Sequence, residues 1–227
     1  MLENKTVLVT GASRGIGKTI ANDILNHYKV EGTYAKTPPK QEDVKFFYYQ
    51  LDISNKKSIE RFWKDKPVKP KYDVLVNNAG ISHRKDFLDY TYEEIQTMIN
   101  TNLIGTMMMC QYFIKQNPNG TIINIASIGG VNGGTEQIPY AISKAGIINL
   151  TKSIAKAYPS IKCNCISPGI IDTDMIDVTK VNLKRIPKGR IGNTNDIAVV
   201  VKFLIDGASD YITGQNIVID GGITING

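Results

Sequence analysis

Thr10-Gly11-Ala12-Ser13-Arg14-Gly15-Ile16-Gly17 decides the fold of this chain. Before it runs Thr6-Val7-Leu8-Val9-Thr10, a short β-branched stretch; after it, Ile16, Ile20, Ile24 and Leu25 recur at helical spacing. A glycine-rich turn between a strand and a helix suits a phosphate group. Gly11 allows the tight turn, Gly15 lets the backbone approach a pyrophosphate, and Gly17 lets helix and strand pack closely. The helix start adds unpaired N–H groups and a partial positive charge. An ordinary turn is the plain alternative, and the strand–turn–helix setting favours a dinucleotide site.

Outward from this turn, strand and helix patterns alternate to the end of the chain. Strands are predicted over Lys29–Tyr34, Phe46–Leu51, Asp73–Val76, Thr121–Ala126, Ile161–Ile166 and Asn216–Asp220. Helices are predicted over Lys56–Trp63, capped by Ser54 or Asn55 and broken by Pro67 and Pro70, and over Tyr92–Gln116, interrupted near Asn100–Asn102. Two more are expected over Pro139–Tyr158 and Thr194–Ile205. This alternation implies one α/β unit spanning residues 1–227, a doubly wound parallel sheet with helices on both faces.

The chain has 227 residues, 42% hydrophobic and 21% charged, which fits a globular protein and excludes intrinsic disorder. Its net charge of +6 favours anionic ligands, but no basic block argues for nucleic acid. Cys110, Cys163 and Cys165 make no disulfide framework; the last two, in a strand, are expected on opposite faces. His27 and His83 lack the neighbours a metal site needs. No signal pattern or membrane-length apolar run appears, so a soluble cytoplasmic protein is expected.

The glycine spacing, G-x-x-x-G-x-G, resembles the cofactor motif of the short-chain dehydrogenase/reductases, and further motifs extend the resemblance over nearly the whole chain. Asn77-Asn78-Ala79-Gly80 is similar to the family's N-N-A-G motif, and Tyr140-Ala141-Ile142-Ser143-Lys144 to its Y-x-x-x-K motif. Ser127 lies 13 residues before Tyr140, where the family serine falls, and Asn102 stands at the family asparagine. Pro168-Gly169 with Ile171 and Thr173 resembles the segment beside the nicotinamide; Tyr211–Gln215 and Asp220-Gly221-Gly222 resemble the C-terminal signature. The resemblance implies a Rossmann fold with a seven-stranded parallel sheet and a substrate lid at about residues 173–190.

Tyr140 and Lys144, four apart on a helix, share a face. A phenol titrates near 10, and an adjacent ammonium is expected to lower that value, giving a tunable general acid/base. By resemblance, Tyr140 exchanges a proton with the substrate oxygen and Ser127 polarises it. Lys144 lowers the Tyr140 pKa and binds the nicotinamide ribose. Asn102 positions a water that relays protons from Lys144. Ser127 as a hydrolase nucleophile lacks a histidine partner or a G-x-S-x-G elbow.

The second strand ends Thr33-Tyr34-Ala35-Lys36-Thr37, without the acid that accepts from the ribose 2′-hydroxyl in NAD enzymes. Arg14 and Lys36 would instead neutralise a 2′-phosphate, so NADP(H) is preferred and NAD(H) remains possible. Cofactor contacts are further expected from Ser13, Ile16, Asp52 and Ile53 at the adenine, and Asn78, Ala79 and Gly80. Substrate resemblance is greatest to bacterial 3-oxoacyl-[acyl-carrier-protein] reductases. The lid is shorter than theirs, and the carrier-docking arginine is absent from Asn117–Gly120. Thr135 to Ile138 would line the substrate mouth, where Glu136 and Gln137 suit a hydroxylated ketone or keto-sugar. A dinucleotide-sensing binding protein is the alternative of another class. The resemblance also implies a homotetramer through two long helices, with Gly105, Thr106 and Met107 to Met109 in the interface.

Overall fold

The computed structural model describes residues 5–40, 45–64 and 71–225. Seven strands form one parallel sheet: β1 (Thr6–Val9), β2 (Lys29–Tyr34), β3 (Phe47–Gln50), β4 (Val74–Asn77), β5 (Thr121–Ile125), β6 (Lys162–Pro168) and β7 (Asn216–Ile219). Their order is β3-β2-β1-β4-β5-β6-β7, and every adjacent pair runs parallel. The order reverses between β1 and β4, which opens a crevice at the carboxyl ends of those strands.

Alternation along each strand sorts apolar side chains onto two faces. Val7, Val9, Val74, Val76, Ile123 and Ile125 pack against helices α1 (Gly15–Ile24) and α7 (Thr194–Ile205). Leu8, Leu75, Ile122 and Cys163 pack on the other face, against α2 (Lys56–Lys64), α4 (Thr106–Gln116) and α6 (Ile138–Ala157). Both faces are covered, so the central strands read as continuous apolar runs. Burial of each such side chain stabilises by about 1.5–3 kcal/mol relative to exposure.

β2 has the expected limits, and the other strands differ from expectation by one or two residues at an end. Asn55 is the α2 cap, its Oδ1 accepting from Lys57 N at 2.9 Å and Ser58 N at 3.3 Å. Pro67 and Pro70 lie outside the described residues. Cys163 and Cys165 share a face rather than opposing each other, because two positions are one full pleat period; Cys165 packs with Ala126 and Ile147 of α6. α3 (Tyr92–Ile99) begins with a capping box, Thr91 with Glu94, and passes into a wide π turn over Asn100–Gly105 before α4 begins. The remaining helix, α5 (Gly129–Asn132), is a single turn. No helix among the described residues is long and apolar enough to cross a membrane.

The expected interface on α4 is largely interior. Gly105, Thr106 and Met109 are buried within the chain itself, and only Met107 of the five is well exposed. A Cβ on Gly105 would lie 3.0 Å from the Ile53 carbonyl carbon, so the glycine is there for close packing. In the segment 173–190, two short 3-10 turns, Val178–Lys180 and Leu183–Arg185, carry exposed apolar side chains; only Ile186 is buried.

Candidate active site

Thr10, at the end of β1, ties the glycine turn to the end of β4. Its Oγ1 accepts from Asn78 N at 3.0 Å and Ala79 N at 3.1 Å. The Asn78 carboxamide returns two bonds, to the carbonyls of Thr10 (3.1 Å) and Gly11 (3.0 Å). Gly11 has φ +64°, and a Cβ there would fall 2.9 Å from Ala79 Cα. Gly15 has φ +54°, and its nearest neighbour would be Thr173 Cγ2 at 3.7 Å, so the turn backbone stays open toward the crevice. No side chain caps α1, which leaves its first N–H groups to a ligand. This cradle fits a pyrophosphate.

Beside it lies a cleft of about 380 Å³ lined by Ser13, Arg14, Gly15, Lys18, Thr37, Pro38, Lys40 and Asp174. Three cations face one acid. Arg14 reaches Asp174 at 3.9 Å, an exposed pair of little strength. Lys36 is exposed and is not among the wall residues; Lys18 and Lys40 are. Lys18 was visible in the sequence as the residue one helical turn after Arg14. Lys40 was not, because only the loop path brings it back. Asp52 accepts from Ser54 N (2.9 Å) and Ser54 Oγ (2.6 Å), and Ile53 is buried beside it.

Asn77 points into the core, where its amide bonds Asn124 Oδ1 at 2.9 Å and Asn124 bonds Thr151 at 2.9 Å. Past it, Gly80 approaches the reactive groups: a Cβ there would stand 3.6 Å from Lys144 Nζ and 3.1 Å from Asn102 Oδ1. At the other side, Pro168 ends β6 and Gly169 bonds the Ile219 carbonyl at 2.9 Å. Ile171 is buried and pairs with Gly192, which carries Thr173 back against Gly15.

Ser127, Tyr140, Lys144 and Asn102 converge at the carboxyl end of β5. Lys144 is buried, donates to the Ile125 carbonyl at 2.7 Å and lies 5.6 Å from the Tyr140 ring centroid. Burial alone lowers its pKa to about 8. The Tyr140 pKa is raised, not lowered: desolvation outweighs the hydrogen bond from Ser127 that opposes it. The expected lowering by Lys144 is therefore overturned for the protein alone.

Asn102 is buried in the π turn, and both Nδ2 donors and one acceptor site of its carboxamide are engaged. Oδ1 accepts from Ile81 N at 2.8 Å; Nδ2 donates to Ile81 O at 2.9 Å and to Ser143 Oγ at 3.1 Å. Ser143 Oγ in turn donates to the Tyr140 carbonyl at 2.6 Å. The Asn102 side chain thus braces the segment after Gly80 against the helix of Tyr140. Ser143 went unnoticed in the sequence because its importance arises only from this cross-chain bond. The three cysteines are buried and free, and no group of three or more metal-ligating side chains occurs among the described residues.

Comparison with known proteins agrees with this geometry. The family model described as enoyl-(acyl carrier protein) reductase matches residues 11–224. The chain is 37% identical to the 3-oxoacyl-[acyl-carrier-protein] reductase of Thermotoga maritima, covering 99% of each, and 38% identical to that of Chlamydia pneumoniae, covering 98% of each. A short chain dehydrogenase from Leptospira borgpetersenii with bound NAD+ superposes with TM-score 0.90 at 36% identity, over 98% of this chain and 94% of that one. A putative 2-deoxy-D-gluconate 3-dehydrogenase from Agrobacterium tumefaciens with bound NADP gives 0.89 at 29%, over 99% and 98%. Sheet order, glycine cradle and the Ser127–Tyr140–Lys144 cluster therefore have one explanation: the chain belongs to the short-chain dehydrogenase/reductase family of oxidoreductases.

Proposed function

We propose that this oxidoreductase reduces a ketone to a secondary alcohol with NADP(H), and that Ser127, Tyr140 and Lys144 are its catalytic residues. The observation that carries the proposal is the buried Lys144 amine, one helical turn from a phenol that Ser127 also reaches. When bound, the nicotinamide exchanges hydride with the carbonyl carbon. Tyr140 gives its proton to the ketone oxygen during reduction and takes one back in oxidation. Its raised pKa keeps the phenol protonated at neutral pH, which suits the reductive direction. Ser127 holds and polarises the same oxygen. The Ile125 carbonyl uses one of the three Lys144 donors, leaving two for the ribose hydroxyls.

Arg14, Lys18 and Lys40 favour the 2′-phosphate of NADP(H) over the bare hydroxyl of NAD(H). The names of the curated relatives support a 3-oxoacyl thioester, and the name of the Agrobacterium tumefaciens neighbour supports a small hydroxylated ketone. The proposal extends to a cytoplasmic homotetramer, for which Ile104, Met107 and Ile142 offer exposed apolar contacts near α4 and on α6. NADPH oxidation across acyl thioesters, keto-sugars and simple ketones tests the activity. Turnover of one class supports it; inertness toward all three contradicts it.

A further inference from the structure

The segment Gly80–Arg84 runs from the reactive cluster to the residue that precedes α6. At one end, Gly80 abuts the Lys144 amine, and Ile81 is locked on both backbone groups by Asn102. At the other, Arg84 reaches Gln137, the residue just before α6 and three before Tyr140. The Gln137 carboxamide turns its oxygen to the guanidinium, accepting from Nη2 at 3.2 Å and from Nε. The loops on either side are also joined: Lys85 N donates to Glu136 O at 3.1 Å, and Tyr90 Oη donates to His83 O at 2.6 Å.

The charges on this rim are not balanced alike. Lys85 is held by the Glu94 carboxylate, with bonds of 2.6 and 2.7 Å. Arg84 has no ion pair among the described residues, although Asp86 is two residues away and the Glu136 backbone bonds the neighbouring Lys85. Its partner is a neutral amide, which orients the guanidinium but leaves its charge uncompensated and its Nη1 donors available. An exposed guanidinium held by Gln137, three residues ahead of Tyr140, and lacking a counter-charge matches an anion on the substrate.

We infer that Arg84, oriented by Gln137, is a specificity-determining residue that binds an anionic group, carboxylate or phosphate, carried by the ketone substrate. The inference rests on the ketone-reductase reading and names the substrate class of that site. Two pairs of ketones separate the anion sources: a short keto acid against its methyl ester, and a keto-sugar phosphate against the free keto-sugar. kcat/KM is measured for each at saturating NADPH. The inference expects the charged member of at least one pair to be favoured by about tenfold or more. Arg84→Gln brings that ratio close to one, mainly through KM for the anion, and Arg84→Lys restores part of it. Gln137→Glu, which sets a carboxylate against the guanidinium, lowers the ratio as well. Turnover of neutral and charged ketones at equal efficiency overturns the role of Arg84 and leaves the reductase reading standing. So does a preference that survives Arg84→Gln. Inertness toward every ketone overturns both.

Discussion

Lys144 donates to the carbonyl of Ile125 across 2.7 Å, so the last residue of β5 holds the amine that stands beneath the Tyr140 ring. This bond explains how the sheet sets the position of a side chain carried on α6. It also fixes a charge where water is largely excluded, and that has a cost.

The cost is measurable through pH. Burial brings the Lys144 pKa to about 8 from an ordinary 10.5. Between those values the unfolded chain binds more protons than the folded one, so this group makes stability rise as pH increases through that window. At neutral pH the folded protein bears the full penalty. Lys144→Met removes the charge but leaves the Ile125 carbonyl without its donor, for a net gain of about 2 kcal/mol. Thermal melts at pH 7 should show the variant several degrees more stable, with the gain shrinking above about pH 8, while its turnover is lost. A variant less stable at pH 7 contradicts the account.

Activity should follow the same group. kcat/KM for NADPH reports the free enzyme. It is expected to fall as pH rises through about 8, where Lys144 loses its charge. A profile flat from pH 7 to 9.5 contradicts a working role for that ammonium.

Asn102→Ala removes three hydrogen bonds, leaving both Ile81 backbone groups without their partner and Ser143 Oγ with only its bond to the Tyr140 carbonyl. The expected loss is about 2–4 kcal/mol of stability, seen as a lower midpoint in urea unfolding. kcat should fall in the fraction that remains folded, because the Gly80–Arg84 segment loses its brace. Unchanged stability contradicts the geometry at Ile81.

Arg14→Glu places an acid in the cationic cleft shared with Lys18 and Lys40. KM for NADPH should rise by about tenfold or more, with KM for NADH little changed. An equal effect on both cofactors contradicts the assignment of that cleft to the 2′-phosphate.

The fold was legible because local signals and the global pattern agree: β1 ends in a glycine turn, α1 follows it, and each later strand is bounded by a turn or a helix. The reactive cluster was legible because Tyr140 and Lys144 are four apart on one helix and Ser127 follows the end of β5. What escaped notice depends on distant chain segments meeting. Lys40 enters the anion cleft from a loop, and Ser143 matters through Asn102. Arg84 and Gln137 meet across 53 positions. The direction of the Tyr140 shift was misread for a related reason, since the spacing shows a neighbouring charge but not the burial that outweighs it. Gly105 and Met109 were misread as interface because an apolar helix residue does not reveal which side the sheet covers.

The central claim is that the Tyr140 hydroxyl carries the proton while the rest of the chain holds the cofactor in place. Tyr140→Phe deletes one oxygen and keeps the ring, so NADPH titration and NADPH-dependent ketone turnover on the same purified variant separate the two functions. The account predicts cofactor affinity close to that of the native protein and a kcat lower by about a hundredfold to ten-thousandfold. Turnover at the native rate with the cofactor bound would contradict it.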